Sequence, residues 1–139
     1  MDHKKTLKKY IYERDNRKCY FCNKDLLFHQ ISLDHYLPKS EKGPDDLFNI
    51  VLSCKKCNKY KKNKIPVDYE EVWLSNFKQA IMDKRITSSV TKLKHKELED
   101  FSKMLDKIES IQEDWTVLQG KKYRVYVKNN KVYKVINLG

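Results

Sequence analysis

All four cysteines of the chain fall into two pairs with the same short spacing. Cys19 and Cys22 form one pair, and Cys54 and Cys57 form the other. A spacer of two residues lets both thiolates of a turn bind one ion at about 2.3 Å, and in a reducing compartment such pairs hold metal more often than they form disulfides. One pair alone is also compatible with a redox motif. The two pairs together predict a single tetrahedral Zn²⁺ that supports the fold.

A second set of polar residues lies between and just after these pairs. Asp34 and His35 end one apolar stretch and Asn49 begins the next, while Asn58 directly follows the last cysteine. Four thiolates complete the coordination of Zn²⁺ and leave no position for water or substrate, so that ion cannot catalyse. Asp34 and Asn58 offer a carboxylate and an amide oxygen, which are ligands suited to Mg²⁺ or Mn²⁺. Any chemistry at these residues would therefore need a second metal ion.

These residues resemble the HNH endonuclease family, whose pattern runs C-x-x-C, D-H-x-x-P, Asn and C-x-x-C-[HN]-x-x-K. The match extends from about Arg14 to Lys61 and consists of Cys19, Cys22, Asp34, His35, Pro38, Asn49, Cys54, Cys57, Asn58 and Lys61. The resemblance implies a ββα-metal core (the His-Me finger) stapled by a zinc site of four cysteines. It also implies that His35 activates water and that Asn49 braces the loop bearing this histidine.

The same resemblance implies that Asp34 and Asn58 bind the catalytic Mg²⁺ or Mn²⁺. Many relatives have histidine at the position of Asn58, but a phage junction-resolving endonuclease of this family also has asparagine there. An oxygen ligand at this position favours Mg²⁺ over Zn²⁺. The implied reaction is metal-assisted hydrolysis of a DNA phosphodiester with His35 as the general base.

Double-stranded DNA is the expected partner, and branched DNA remains open. The candidate phosphate contacts are Arg14, Lys56, Lys59, Lys61 and Lys62, although lysines of this kind also form ordinary solvated surfaces. A non-catalytic zinc module that binds nucleic acid is the alternative function. That module would explain the cysteines and the charge, but it would leave the pattern of Asp34, His35 and Asn58 as a coincidence.

The charge of the chain is strongly positive and unevenly distributed. The formal net charge is +11, with +8 in residues 1–65, −3 in residues 66–118 and +6 in residues 119–139. Two basic ends favour contact with a polyanion, and we expect the basic tail to extend the DNA footprint. No apolar run approaches the length of a membrane span, and the first residues lack the apolar region of a signal peptide. The chain is therefore expected to be soluble and cytoplasmic.

Hydrophobic periodicity predicts an α+β fold in two parts, with a boundary at Pro66. Residues 1–66 form the nuclease core in this prediction, and residues 67–139 form a helical extension ending in a basic β-hairpin. The predicted core elements are a helix at 4–15, a strand at 26–35, a loop at 38–46, a strand at 49–53 and a helix at 58–64. The predicted extension elements are a helix from Asp68 to about Lys84, a linker at 86–91, a helix at 93–114 and strands at 123–127 and 131–136.

Two details of the extension depend on single residues. Asp68 and Glu71 have the spacing of a capping box at the start of the first helix, and Leu98, Phe101, Leu105, Ile108 and Ile111 form the apolar stripe of the second. These stripes are expected to belong to the core, although they also permit a homodimer. Trp73 and Trp115 are expected in the core as well, with base stacking as the alternative.

Overall fold

The computed structural model describes residues 3–60 and 64–139 and has the expected α+β composition. Its helices are α1 (His3–Arg14), α2 (Lys55–Tyr60), α3 (Tyr69–Met82) and α4 (His95–Lys103). Its strands are β1 (Ile31–His35), β2 (Ile50–Cys54), β3 (Thr87–Ser88), β4 (Leu105–Ile111), β5 (Thr116–Gly120), β6 (Tyr123–Lys128) and β7 (Lys131–Asn137). None of the described helices is long and apolar enough to span a membrane.

The first part of the chain folds as a ββα unit. Strands β1 and β2 pair antiparallel with Ile31 opposite Cys54 and His35 opposite Ile50, and α2 follows β2 without a loop. Helix α1 packs under this hairpin through Ile11, which is fully buried with Leu52. The observed order of elements agrees with the sequence prediction, but β1 begins later, because residues Phe28–Gln30 form a 3-10 turn. Helix α2 begins three residues before the predicted helix at 58–64, of which residues 61–63 lie outside the described residues.

The second part is built on a five-stranded sheet with the order β3-β7-β6-β5-β4. Only β3 and β7 are parallel within it; the other pairs are antiparallel. Asn129 and Asn130 connect β6 to β7 with φ angles of 50° and 62°, which are the left-handed conformations that a two-residue hairpin turn requires. The predicted hairpin is therefore confirmed, and the sheet around it is larger than the sequence indicated.

The predicted second helix is wrong over most of its length. Helix α4 ends at Lys103, and the residues that follow form β4, which pairs with β5. Register shifts interrupt β4 between Leu105 and Lys107 and again between Ile108 and Ser110. Each such bulge adds one residue to the normal period of two, so that Leu105, Ile108 and Ile111 all reach the core at intervals of three. A bulged strand thus reproduces the spacing of a helix.

The start of α3 also differs in detail from the prediction. Asp68 makes no capping hydrogen bond with its side chain. Instead, its Oδ1 accepts a hydrogen bond of 2.6 Å from the hydroxyl of Tyr36, which lies directly after β1. Burial and this hydrogen bond raise the pKa of Tyr36. The carboxylate therefore links α3 to the loop after β1.

The largest apolar cluster includes residues from both sides of Pro66. Leu37 and Phe48 lie in the same cluster as the α3 side chains Trp73 and Phe77 and the sheet residue Val132. Helix α3 packs on the turn Leu47–Asn49 and on β4. The loop between β1 and β2 is consequently supported by the second part of the chain.

Candidate metal centre and catalytic site

The four cysteines converge on one point although the two pairs are far apart in sequence. Their sulfur atoms all lie within 4.8 Å of one another, and the Sγ atoms of Cys22 and Cys54 are 3.9 Å apart. Four sulfurs that bind Zn²⁺ at about 2.3 Å in a tetrahedron are separated by roughly 3.8 Å. The cluster therefore has the composition and nearly the spacing of a structural zinc site. Among the described residues, it is the only group of three or more His, Cys, Asp or Glu that could hold an ion.

The thiols of this cluster interact with one another and with nearby backbone groups. Burial raises the pKa of Cys19, but hydrogen bonds from backbone groups of Cys22, Cys54 and Phe21 outweigh it and lower that pKa to about 6. Hydrogen bonding to Cys54 raises the pKa of Cys57 to about 12. The backbone N–H of Cys57 also points at Cys54 Sγ, 3.3 Å away. Such N–H groups stabilise thiolates, which are the form that binds zinc.

His35 lies at the end of β1, where its ring meets a carboxylate that the sequence did not single out. Its Nε2 is 2.7 Å from Oδ1 of Asp45, and the His35 side chain is 27% exposed. This hydrogen bond lowers the pKa of Asp45, with a further contribution from Lys39. An ionised carboxylate only accepts hydrogen bonds, so a neutral His35 carries its proton on Nε2. Asp45 stands in a loop of Gly, Pro and Asp with no motif that would have marked it.

Asn49 is fully buried and uses every hydrogen-bonding position of its amide. Its Oδ1 accepts from the backbone N–H of Leu37 at 2.8 Å and from Nε1 of Trp73 at 2.7 Å. Its Nδ2 donates to the carbonyl oxygens of Leu37 at 3.1 Å and of Pro44 at 2.9 Å. The amide thereby joins both ends of the loop that follows His35. This geometry agrees with the expected brace, and it adds Trp73, whose contribution the sequence did not reveal.

Asp34 and Asn58 lie on the same side of the β-hairpin. Ser32 and Asp34 are two residues apart on β1, so their side chains share one face of the strand. Asn58 on α2 donates from Nδ2 to Ser32 Oγ over 2.6 Å, which places Asn58 on that face and commits its amide nitrogen to protein. The amide oxygen of Asn58 then remains to bind a metal ion, and Mg²⁺ prefers oxygen ligands.

Arg14 corrects the expectation that it contacts phosphate. Its side chain is 5% exposed and forms an ion pair with Asp15. The guanidinium also donates to the carbonyl oxygens of Leu47 and Ile50, while Asp15 accepts from the backbone N–H of Leu52. A side chain held by these internal partners is not available to DNA. Arg14 instead fixes α1 to both ends of the turn before β2.

The hairpin turn of the large sheet contacts the loop between His35 and Asn49. Oδ1 of Asn130 accepts from the backbone N–H of Leu47 at 2.7 Å, and the backbone N–H of Asn130 donates to Oδ2 of Asp46 at 3.0 Å. Burial raises the pKa of Asp46. The loop between His35 and Asn49 is therefore tied to residues more than eighty positions later in the chain.

The candidate DNA-contacting lysines are only partly covered by the structure. Lys56 and Lys59 lie on α2 and are both exposed, whereas Lys61 and Lys62 lie outside the described residues. The basic tail is not a separate appendage, because Val125, Val127 and Val132 of β6 and β7 are buried in the main core. Truncation would therefore unfold the sheet, and the charges of the tail have to be tested by substitution.

Comparison with known proteins finds one match, to a family model. Residues 19–73, less than half of the chain, match the family model described as HNH endonuclease. No curated protein matches the sequence. The matched segment runs from the first zinc-site cysteine to Trp73 and so includes every residue of the site described above except Arg14, Asp15 and the hairpin turn.

Proposed function

We propose that the protein hydrolyses phosphodiester bonds of DNA, and the match of residues 19–73 to the family model described as HNH endonuclease supports this. The observation that carries the proposal is the arrangement around His35. A partly exposed imidazole is held at Nε2 by Asp45, on a loop that Asn49 closes at both ends. A zinc module that only binds nucleic acid has no need for a histidine held in this way.

In this mechanism His35 acts as the general base. Because its proton is on Nε2 and is donated to Asp45, Nδ1 takes the proton from the attacking water. Asp45 then faces an imidazolium and offsets its charge, which makes Asp45 a positioning residue for His35. General base catalysis of this kind contributes on the order of 10²–10⁴-fold to the rate.

Asp34 and Asn58 are the residues that would hold the catalytic Mg²⁺ or Mn²⁺. When bound, such an ion offsets negative charge that develops on the phosphate and on the leaving oxygen. The donor set fits this ion, because it consists of a carboxylate and an amide oxygen, with water expected to complete the shell. The four cysteines would hold Zn²⁺ separately and only support the fold.

Double-stranded DNA is the proposed substrate, and the net charge of +11 supports binding to a polyanion. Lys56 and Lys59 on α2 are proposed phosphate contacts, with Lys61 and Lys62 beside them in sequence. The homodimer that the sequence permitted stays a prediction.

The decisive experiment compares His35→Ala with the wild type in a plasmid cleavage assay with added Mg²⁺ or Mn²⁺. We expect cleavage to fall by about 10²-fold or more while zinc content and DNA affinity stay close to wild type, because a general base adds little ground-state binding. His29→Ala, which alters an exposed histidine before β1, is the matched control. Cleavage by His35→Ala at the wild-type rate would exclude this mechanism. DNA binding without cleavage by the wild type would favour the non-catalytic module.

A further inference from the structure

A groove of about 730 Å³ begins at the carboxylate that holds His35 and extends to the turn between β4 and β5. One wall belongs to the loop after His35 and carries Lys39, Lys42 and Asp45. The other wall is built from the two sheet turns and carries Gln112, Trp115, Lys128 and Asn129. The volume is in the range of pockets that bind small molecules or single nucleotides. The groove therefore joins the catalytic loop to a surface that the HNH-matched segment does not contain.

Trp115 is the unusual residue of this groove. The sequence predicts it in the core, yet its side chain is 39% exposed, whereas Trp73 is fully buried. In the part of the chain that the structure describes, no other aromatic ring and no cation stacks on its indole. The neighbouring backbone is held in place, because the N–H of Gln112 donates to the carbonyl of Trp115 at 2.8 Å. An indole on a hydrogen-bonded turn provides an ordered apolar platform.

The charges near Trp115 favour a base over a phosphate at that end of the groove. Lys39 lies at the end near His35, where its Nζ is 3.3 Å from Asp45. Glu113 and Asp114 stand on the same turn as Trp115, and their carboxylates repel phosphate. Carboxylate and amide oxygens do accept hydrogen bonds from the exocyclic amino groups of bases. A nucleotide would thus fit with its base on the indole and its phosphate towards Lys39 and Lys42 of the opposite wall.

We propose that this groove is a subsite for one unpaired nucleobase of the DNA strand that is cut, with Trp115 as its stacking platform. The inference rests on the proposed function, because the groove can hold part of the substrate only if cleavage takes place at the neighbouring His35. A base in a duplex is covered on both faces by its neighbours, so only an unpaired or splayed base can stack on a side chain. The favoured substrate is consequently DNA with an unpaired base beside the scissile phosphate, as in a bulge or a branch.

The first test measures selectivity of cleavage by the zinc-loaded protein. Two duplexes are compared, one fully paired and one with a single unpaired adenine next to the cut. Base stacking on an aromatic side chain contributes about 1–3 kcal/mol, so Trp115→Ala should reduce the preference for the unpaired substrate by about 5- to 150-fold in kcat/KM. Trp115→Phe should retain most of it. Tyr133→Ala removes an aromatic that is 40% exposed on β7, outside the groove, and should leave both rates unchanged.

The second test does not depend on cleavage. The chain has two tryptophans, and only Trp115 is exposed, so the fluorescence of zinc-loaded His35→Ala should be quenched by the bulged duplex. Adding Trp115→Phe should abolish the quenching. Quenching with no cleavage by any variant would refute the nuclease function and leave the subsite standing. Cleavage with equal selectivity in wild type and Trp115→Ala, together with no quenching, would refute the subsite and leave the nuclease standing.

Discussion

Replacing Asn49 with alanine tests whether its amide holds the catalytic loop. The substitution leaves four polar groups without their partner: the N–H and C=O of Leu37, the C=O of Pro44 and Nε1–H of Trp73. A buried group that loses its partner costs about 1–3 kcal/mol, and carbonyls tolerate the loss better than N–H groups. Counting mainly the two donors, we expect a loss of about 4 kcal/mol in the free energy of unfolding, which is a large fraction of the usual 5–15 kcal/mol or so.

Urea denaturation of the zinc-loaded protein measures this loss from the shift of the midpoint at constant slope. Asn76→Ala is the matched control, because Asn76 on α3 makes one hydrogen bond, of 3.2 Å, to the carbonyl of Phe48. That control should cost about 1 kcal/mol. If Asn49→Ala and Asn76→Ala shift the midpoint equally, the four-bond brace is not what stabilises the loop.

Asn49→Asp refines the same prediction, because aspartate keeps the shape and changes the protons. Its carboxylate can still accept from Leu37 and Trp73, but it meets the carbonyl oxygens of Leu37 and Pro44 with no proton to donate. The folded state therefore raises the pKa of this carboxyl above its unfolded value of about 3.9. Since the native state then binds more protons than the unfolded state, the stability of the variant falls relative to wild type as pH rises from about 4. A constant difference between about pH 4 and pH 7 would contradict this account.

Three further perturbations probe the remaining parts of the site. Asp45→Asn should lower kcat by about 10-fold or more with little change in KM, because the His35 ring loses a charged partner. Asp25→Asn is the control and should leave kcat unchanged. An unchanged kcat in Asp45→Asn would remove Asp45 from the mechanism. Gly43→Ala would place a Cβ against the carbonyl oxygen of Leu37, so the loop should shift and the cleavage rate should drop by about 10²-fold. Ser40→Ala in the same loop should leave the cleavage rate unchanged. Equal rates for both variants would argue against a tightly packed loop. Chelation of zinc should unfold the ββα unit, since structural zinc contributes roughly 10–16 kcal/mol to folding. Circular dichroism should show loss of secondary structure on chelation and its recovery when Zn²⁺ is added. A chelated protein that keeps its spectrum would disprove the structural role.

The sequence predicted the metal centre well because its information is local. Cysteine pairs with a two-residue spacer can converge wherever the intervening chain lets them meet, and the hairpin β1–β2 with α2 brings them together. The residues around His35 were less accessible. Trp73 lies 24 positions after Asn49, and Asn130 lies 83 positions after Leu47. Asp45 lies in a turn whose residue types are common in surface loops. Such partners are determined by tertiary packing.

The misread helix has a different cause. Leu105, Ile108 and Ile111 have the spacing of a helical face, and no glycine or proline interrupts the stretch between Leu93 and Ile111. Two bulges in β4 stretch the strand period from two to three, and neither bulge has a marker such as glycine. The capping prediction at Asp68 failed because Tyr36, 32 positions earlier, takes the carboxylate as its acceptor. At Asp68 a contact distant in sequence outweighs a local preference, whereas in β4 the bulges give a strand the spacing of a helix.

The clasp between Asn130 and the turn at Asp46 and Leu47 has a consequence for synthesis of the protein. The ribosome completes residues 19–73 well before it reaches the hairpin that contacts the loop between His35 and Asn49. Domains form in the order in which they emerge, at about 5–20 residues per second, so a nascent chain carries its cysteines and His35 for several seconds before Asn130 is in place. The loop that bears His35 therefore gains its contacts with Asn130 only after the downstream sheet has been synthesised.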